Sequence, residues 1–295
     1  MVIQTLARIK YVFFIGHQYG YNLLKYIISC KKNINIAYIF IEKDSEHEQE
    51  KYYNKIEALC CQYNYKYTND LSMKNQLTIL KENSVDFILV YGYRRLIKKE
   101  VCEEAQHGAI AMHYAMLPKY RGFAPVNWAI INGENETGVS LFFLTEGIDD
   151  GDIIEQKPVS ILVQDDINTV LEKCNAEALK IFDKQFDLFE NGIINRLPQD
   201  HSVASYTCAR SPEDGLICWD NSTIKIHNLI RALTYPFPCA YTYLNGEIIH
   251  IIDAEILECG NYIVTIPGKI ISRITEKGAI LLNGDCAFYL KIHIS

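Results

Sequence analysis

The sequence lacks the features that mark metal-bound, disulfide-rich or membrane proteins. Its ten cysteines form no CxxC pair and its eight histidines are dispersed, so neither a zinc site nor a disulfide framework is predicted. No segment approaches the roughly 18 consecutive apolar residues of a membrane helix. The apolar run after Arg8 and Lys10 ends at Gly16, too early for a signal-peptide core. We therefore expect a cytoplasmic protein with reduced thiols, no metal and no membrane partner.

Positive charge is also scarce, and the first glycine motif is incomplete. Lys and Arg number 29 against 36 Asp and Glu, and the net charge of −7 disfavours nonspecific binding of nucleic acid, which needs a basic face. Gly16 and Gly20 follow the first apolar run, but the GxGxxG fingerprint requires another glycine where Gln18 stands. An NAD site is therefore disfavoured, and a plain strand-to-helix turn is predicted.

The first half of the chain alternates strand-like and helix-like segments. The strand-like segments are residues 10–15, 34–41, 65–68, 85–91 and 108–113, and the helix-like segments between them are residues 21–30, 48–63 and 73–82. Such alternation predicts parallel βαβ units whose sheet is covered on both faces. We predict an α/β fold with a Rossmann-like, doubly wound, mostly parallel sheet.

Two more strands and a long helix follow. Residues 137–144 and 152–161 read as strands, and Asp165 or Asp166 can cap a helix that runs to about Glu190 and stops before Gly192. The apolar positions of this helix recur at helical spacing and indicate a face that packs on the core. These positions are Ile167, Val170, Leu171, Ala178, Ile181, Phe182, Phe186 and Phe189.

The pattern lapses over residues 197–205, which we interpret as a linker. One predicted helix, residues 222–232, follows, and then come short strands. Their turns are marked by Asn245-Gly246, Gly260-Asn261, Pro267-Gly268 and Asn283-Gly284. This texture predicts a small antiparallel β barrel. The expected division is an N-terminal domain of residues 1–200 and a C-terminal subdomain of residues 201–295.

The most informative stretch is the end of the fifth predicted strand. His113 ends an apolar strand, and ligands of open α/β sheets bind beyond the carboxyl ends of strands. Asp149 lies 36 residues later, in an acidic turn, and a carboxylate behind an imidazole makes a general base that works near neutral pH. Spacing alone leaves alternatives open: His113 as a structural residue, and the turn as a solvated loop or weak cation site.

Three runs around these residues carry a resemblance to a known family. They are HYAMLPKYRGFAPVNWAIINGE (residues 113–134), TGVSLFFL (137–144) and IDDGDI (148–153). They resemble the folate-dependent formyltransferases, which include methionyl-tRNA, glycinamide ribonucleotide and sugar N-formyltransferases. Weaker similarity runs back through VDFILVYGYRRLI (85–97). Downstream, RSPEDGLICW (210–219), IRALTYPFPCA (230–240) and IPGKI (266–270) resemble the C-terminal part, an OB-like barrel, of the larger members.

The resemblance implies N10-formyltetrahydrofolate as formyl donor and a primary amine as acceptor. The family's catalytic set is an Asn, a His two residues later and an Asp in a D-x-G turn. The His corresponds to His113 and the Asp to Asp149, so His113 would move the amine's proton and Asp149 would orient the ring. The segments matching the family's folate pocket comprise Arg95, Leu96, Ile97, Phe123, Thr145, Glu146, Gly147, Ile148 and Asp149. For Arg95 a solvated surface charge is an equal alternative.

The chain departs from the family where the Asn should stand, since Ala111 occupies that position, and Ala115 replaces the usual Ser. An alanine donates no hydrogen bond, and loss of one oxyanion donor costs on the order of 10²–10³ in rate. Three explanations remain open. Ala111 is a substitution introduced to trap ligands; or it is natural, with Asn127, Asn132 or a water as the donor; or the protein binds its ligands without turnover.

Charge also bears on the acceptor. Residues 201–295 hold seven basic and nine acidic residues, a net −2, which leaves −5 for the first 200. A tRNA enzyme should carry a basic C-terminal domain, so we predict a sugar N-formyltransferase acting on a UDP- or dTDP-linked amino-dideoxy sugar for surface glycans. Candidate acceptor-binding residues are Tyr120, Arg121, Arg210, Trp219, Arg231 and Tyr235. Trp219 and Tyr235 could equally be aromatic residues of the core. A methionyl-tRNA formyltransferase is the alternative enzyme, and a homodimer is left open.

Overall fold

The structure is a computed structural model that describes residues 8–30, 33–45, 50–258, 266–275, 278–283 and 286–293. The chain forms two compact units, each built from separate segments. Unit 1 comprises residues 1–119, 139–157 and 175–204, and unit 2 comprises residues 120–138, 158–174 and 205–295. Two segments from the first 200 residues thus belong to the second unit, whereas the sequence analysis divides the chain once, at residue 200.

A seven-stranded sheet has the order β3-β2-β1-β4-β5-β7-β8. Its strands are β1 (Lys10–Ile15), β2 (Asn35–Ile41), β3 (Tyr67–Thr68), β4 (Phe87–Tyr91), β5 (Ala109–His113), β7 (Glu136–Phe143) and β8 (Ile153–Ser160). The first five pair in parallel, and β7 is antiparallel to β5. The chain order reverses direction at β1, so β1 and β4 flank the switch point where open α/β sheets bind ligands.

The helices of the chain are α1 (His17–Ser29), α2 (Tyr53–Gln62), α3 (Met73–Asn83), α4 (Lys99–Cys102), α5 (Pro125–Ile131), α6 (Ile167–Glu190) and α7 (Thr223–Leu233). The first begins four residues before the predicted helix, because the N–H of Gly20 donates to the carbonyl of Gly16 and closes the glycine loop as a helical turn. The second begins at Tyr53, and the predicted start at Glu48 lies outside the described residues.

The core of unit 1 is aromatic. Strands β1 and β4 are almost wholly buried, and the Phe14 and Phe40 rings stack at 4.5 Å between centroids. Phe87 of β4 stacks on Phe189 of α6 at 4.7 Å. Each such side chain contributes about 1.5–3 kcal/mol through burial. This packing explains why β1 and β4 read as continuous apolar runs rather than as alternating patterns.

Unit 2 contains a five-stranded antiparallel sheet of order β10-β11-β14-β13-β12. Its strands are β10 (Ala240–Leu244), β11 (Glu247–Glu258), β12 (Lys269–Thr275), β13 (Gly278–Asn283) and β14 (Cys286–His293). The Asn245-Gly246 turn joins β10 to β11 with both residues at positive φ, as the sequence predicts. The Gly260-Asn261 and Asn283-Gly284 turns fall wholly or partly outside the described residues. A short parallel pair links β6 (Arg121–Gly122) to β9 (Tyr206–Thr207).

The predicted fold class is confirmed: a mostly parallel sheet with helices, followed by a small antiparallel sheet domain. The long helix α6 spans Ile167–Glu190 as predicted, with Asp166 accepting from the N–H of Thr169 at its start. Gly192 follows it at φ +73°, the left-handed conformation that ends many helices. Within the part of the chain that the structure describes, no helix has the length and apolarity to cross a bilayer.

Candidate active site

The structure brings together His113 and Asp149, which lie 36 residues apart in the sequence. His113 ends β5 and pairs with Ser140 of β7, and Asp149 belongs to the turn between β7 and β8. The Nδ1 atom of His113 lies 3.6 Å from Oδ2 of Asp149, and their side chains are 10% and 21% exposed. This distance suits an ion pair but exceeds a normal hydrogen bond. One ring nitrogen of His113 therefore faces a carboxylate.

The acidic turn, residues 144–152, is held by backbone and side-chain hydrogen bonds. Asp149 has φ +49°, which is unusual for a residue with a side chain. Nε2 of Gln199, a buried side chain, donates to the carbonyls of Asp149 at 2.9 Å and Gly151 at 2.7 Å. Thr145 binds the carboxylate of Asp150 across the turn. The backbone of Asp149 is thus held by a residue from outside its own turn.

Gly151 is a further constraint on this turn, and replacing it with alanine is expected to destabilise the protein. A Cβ at Gly151 would lie 1.9 Å from the carbonyl oxygen of Phe143, which cannot rotate away. We expect a loss of about 3 kcal/mol of unfolding free energy, measured by thermal or urea denaturation. Gly192→Ala is the control, since its Cβ would meet no atom within 4 Å and only backbone strain of about 1 kcal/mol applies. Equal stability of the two variants would contradict this packing.

Ala111 lies two residues before His113 in β5, so both side chains are on the same face of the sheet. It pairs with Val90 of β4 and Phe142 of β7 and is 8% exposed. The two asparagines considered as substitute donors lie in unit 2. Nδ2 of Asn127 donates to the carbonyl of Ala232 at 2.8 Å, and Nδ2 of Asn132 donates to Oη of Tyr120 at 3.2 Å. Each amide group therefore already uses one of its donors within unit 2.

Most of the predicted folate-binding residues lie on two loops of unit 1. Leu96 follows β4 and is 88% exposed, whereas its neighbour Ile97 is buried in the core. Ile148, beside Asp149, is 58% exposed. Phe123, also predicted for this pocket, belongs to unit 2 and is 60% exposed.

A cavity of about 750 Å³ adjoins the acidic turn in unit 1. Thr145, Glu146 and Gly147 line it on one side, and Nζ of Lys99 pairs with Glu146 at 3.1 Å. On another side the Arg196 guanidinium stacks over the Phe143 ring at 3.6 Å. Neither His113 nor Asp149 is among the described residues that line this cavity.

The six predicted acceptor-binding residues all lie in unit 2. Arg121 is 1% exposed, and its Nη1 donates to Tyr206 at 3.0 Å. Arg231 donates to the carbonyls of Leu162 and Asp165, and burial lowers the pKa of its guanidinium against the pull of the Asp165 charge. These two arginines support the fold of unit 2.

The other four candidates differ in their contacts within unit 2 and in their exposure. Nε1 of Trp219 donates to Thr242 at 3.0 Å. The Arg210 guanidinium lies 4.8 Å over the ring of Trp128 and donates to Asp214. Oη of Tyr120 donates to Glu134 at 2.8 Å. Tyr235 is 56% exposed. Among the six, Tyr235 presents the most accessible aromatic surface, and the acceptor roles stay predictions.

Two residues near this site were not predicted. Gln199 falls within residues 197–205, interpreted as a linker, and no local pattern marks it. Glu42 directly follows the carboxyl end of β2, and ligands of open sheets bind beyond the carboxyl ends of strands. This position was the one feature of the sequence that could have indicated a role for Glu42. Among the described residues, no group of three or more His, Cys, Asp or Glu side chains could hold a metal ion.

Comparisons with known proteins identify similarity to formyl transferases. A formyl transferase family model matches residues 9–184, and a model of the formyl transferase C-terminal domain matches residues 210–293. A methionyl-tRNA formyltransferase of Thermodesulfovibrio yellowstonii is 41% identical over 202 residues, which cover 68% of this chain and 64% of that protein. Another from Alkaliphilus oremlandii is 34% identical, covering 72% and 66%. The chain thus matches slightly less than two thirds of the length of these relatives.

Solved structures share the fold at low identity. The N-formyltransferase of Helicobacter canadensis, in complex with folinic acid and dTDP-3-aminofucose, superposes with a TM-score of 0.70 at 19% identity and covers 97% of this chain and 100% of its own. HypX of Aquifex aeolicus in complex with tetrahydrofolic acid gives a TM-score of 0.69 at 14% identity, covering 96% and 44%.

Proposed function

Because the chain belongs to the formyl transferase family, we propose that it transfers a formyl group from N10-formyltetrahydrofolate to a primary amine. The observation that carries this proposal is the 3.6 Å approach of His113 to Asp149 at the end of β5. A general base, the carboxylate that orients it and exposed apolar side chains on adjacent loops are what this reaction needs.

His113 supplies the proton transfer in this proposal. The neutral amine attacks the formyl carbon, and a C–N bond forms while the carbonyl becomes an oxyanion. His113 accepts the proton that the attacking nitrogen loses and returns it to N10 of the folate, which leaves as the bond to the formyl carbon breaks. Asp149 holds the ring so that Nε2 faces the reaction. The products are a formamide and tetrahydrofolate, so atoms and protons balance.

Folate binding is assigned to the two loops of unit 1. A pterin is a flat, polar-edged ring, and it suits a surface of exposed apolar side chains flanked by backbone hydrogen-bonding groups. Leu96 and Ile148 supply the apolar surface, and the loop that carries Ile148 reaches His113 through Asp149. In support, the Helicobacter canadensis and Aquifex aeolicus structures of the same fold are described as folate complexes.

Gln199 tests how far catalysis depends on the placement of the acidic turn. Gln199→Ala removes both hydrogen bonds to the carbonyls of Asp149 and Gly151. We expect kcat to fall by between about tenfold and 10²-fold, since small displacements of a catalytic group cost that much. Gln185→Ala is the matched control, because Gln185 is equally buried in unit 1 but binds Glu155. A loss of activity as large in Gln185→Ala would remove the special role of Gln199.

The acceptor that we propose is a nucleotide-linked amino-dideoxy sugar, UDP- or dTDP-linked, formylated for surface-glycan synthesis. Support comes from the net charge of −7, which suits a small acceptor better than a polyanion. A methionyl-tRNA acceptor is the second candidate, favoured by the methionyl-tRNA formyltransferases that are 41% and 34% identical to this chain. The two differ sharply in their dependence on salt, because tRNA binding releases counterions.

Formyl transfer assays with both acceptor classes decide between these candidates. We expect a formylated product from one or more UDP- or dTDP-amino sugars, at rates that change little between 50 and 200 mM salt. Over the same range, a protein that makes many phosphate contacts loses affinity for its nucleic acid by a factor of about 10³–10⁵. Formylation of methionyl-tRNA without any sugar product would replace the first candidate by the second. Binding of folate and nucleotide sugar without product, even in an Ala111→Asn variant, would instead identify a non-catalytic binder.

A further inference from the structure

The turns that follow β1, β2 and β4 meet at the switch point of the sheet. A Cβ at Gly92, which has φ +65°, would lie 2.5 Å from the carbonyl oxygen of Gly16, and a Cβ at Gly16 would lie 2.9 Å from that of Gly92. The N–H of Glu42 donates to the carbonyl of Ile15 at 2.9 Å. The two glycines permit a close backbone approach, and Glu42 is brought to the same place by strand pairing.

The carboxylate of Glu42 binds the segment after β4 at two points. Its Oε2 accepts from the backbone N–H of Arg94 at 2.7 Å, and its Oε1 lies 3.4 Å from Nε of Arg95. The side chain is 10% exposed, whereas that of Arg95 is 62% exposed. These contacts hold residues 92–97, which we name the β4 loop and which carry Leu96 and Ile97.

His17 lies between the carboxylate of Glu42 and a second carboxylate, that of Asp44. Nε2 of His17 lies 3.6 Å from Oε2 of Glu42, and its Nδ1 lies 3.8 Å from Oδ1 of Asp44. Oδ2 of Asp44 accepts from the N–H of Tyr53 at the start of α2. Burial alone would raise the pKa of Glu42, but the facing His17 ring, the Arg94 N–H and the Arg95 charge outweigh it and lower that pKa. Glu42 is therefore an anion at neutral pH.

We propose that Glu42 is a positioning residue, which holds the β4 loop in the conformation that presents the exposed Leu96 to the pterin of the formyl donor and keeps Ile97 anchored in the core. The inference rests on the proposed function, since it assigns the loop to folate. Gly16 and His17, where the sequence analysis disfavours a dinucleotide site, then have a role: Gly16 admits the close approach of Gly92, and His17 faces the Glu42 carboxylate.

The physical basis is preorganisation. Without Glu42, the Arg94 N–H loses its acceptor, and the positive charge of Arg95 loses the carboxylate that it faces. The loop then samples other conformations, and folate binding must first order it. If two side chains of the loop are mobile before binding, the cost of immobilising them weakens the affinity for folate roughly tenfold to 10²-fold. The acceptor site and the His113–Asp149 pair are not altered.

Three variants test the proposal: Glu42→Ala, Glu42→Gln and Glu155→Ala. Glu155 is the matched control, because it is also a 10% exposed carboxylate of unit 1 paired with an exposed cation, Lys184 at 2.8 Å, but it does not contact the β4 loop. Folinic acid is the probe of affinity by titration calorimetry. Trypsin, added in the absence of folate, is the probe of the loop, because Arg94 and Arg95 offer cleavage sites whose access depends on how ordered the loop is.

We expect Glu42→Ala to weaken folinic acid binding tenfold to 10²-fold and to accelerate cleavage at Arg94 and Arg95, with KM for the amine acceptor unchanged. Glu42→Gln should recover part of both effects, because its amide oxygen still accepts from Arg94. Glu155→Ala should resemble the parent. Unchanged cleavage and affinity in Glu42→Ala would overturn the proposal, as would equal effects in Glu155→Ala. If the parent does not bind folinic acid while cleavage still responds to Glu42, the proposed function fails and the loop-positioning role stands.

Discussion

Replacing Ala111 with asparagine is expected to raise the rate of formyl transfer by about 10²–10³. The substitution places a carboxamide two residues before His113, on the same face of β5. This carboxamide would donate to the oxyanion that develops on the formyl oxygen, and a single preorganised donor of this kind contributes that much. The parent lacks a donor at this position because a methyl group stands there.

The measurement is kcat with N10-formyltetrahydrofolate and a saturating amino-sugar nucleotide. Ala111→Leu is the control, since leucine has the same branching and number of side-chain heavy atoms as asparagine but has no donor. Because Ala111 is 8% exposed between Val90 and Phe142, both variants must first be shown to keep the parent's folinic acid affinity and melting temperature. A folded Ala111→Asn protein whose kcat does not exceed that of the parent would contradict the hypothesis that Ala111 disables an otherwise competent site.

The second large effect is expected at His113. His113→Ala should lower kcat by about 10²–10⁴, because proton transfer by a positioned base contributes that factor. Folinic acid affinity should change little, since the proposed folate contacts come from Leu96 and Ile148. The loss should be clearest in the Ala111→Asn background, where the starting rate is higher.

His201→Ala is the control for this experiment, because His201 belongs to the same unit, lines the neighbouring cavity and has no part in the proposed proton transfer. Groups that act on the same reacting atoms give non-additive effects. We therefore expect the Ala111→Asn gain to shrink when His113 is also replaced. An undiminished kcat in His113→Ala would reject the general-base role, whatever the acceptor.

The sheet was predictable because its strands are long apolar runs, and such runs have few alternatives to a buried parallel strand. Strands β1 and β2 lie within a residue of the predicted bounds, and α6 begins one residue after its capping aspartate. The start of α1 was misjudged, because the Gly16–Gly20 hydrogen bond that closes its first turn leaves no periodic apolar signal. The predicted start of α2, at Glu48, lies outside the described residues, and the helix of the structure begins at Tyr53.

The candidate site divides in the same way. His113 and Asp149 could be proposed from the sequence because each follows a recognisable strand and together they match a family motif. Gln199 could not, since one polar residue in an irregular segment has no pattern around it. For Glu42 the position directly after β2 was the one signal, and nothing in the sequence indicated its contact with residues 94 and 95. Both lie far in sequence from the groups they bind: Gln199 is 50 residues from Asp149, and Glu42 is 52 from Arg94.

Local patterning was sufficient to specify the long strands, most of the longer helices and the acidic turn, because these depend on residues close in the chain. That Ala111 stands at a donor position is implied only by the family resemblance. The meeting of the turns after β1, β2 and β4, the clamp of Gln199 on the acidic turn and the assembly of unit 2 from three separate segments arise only on folding. Each depends on contacts between residues distant in sequence, whose closure is decided by how the sheet pairs and packs and not by any one segment.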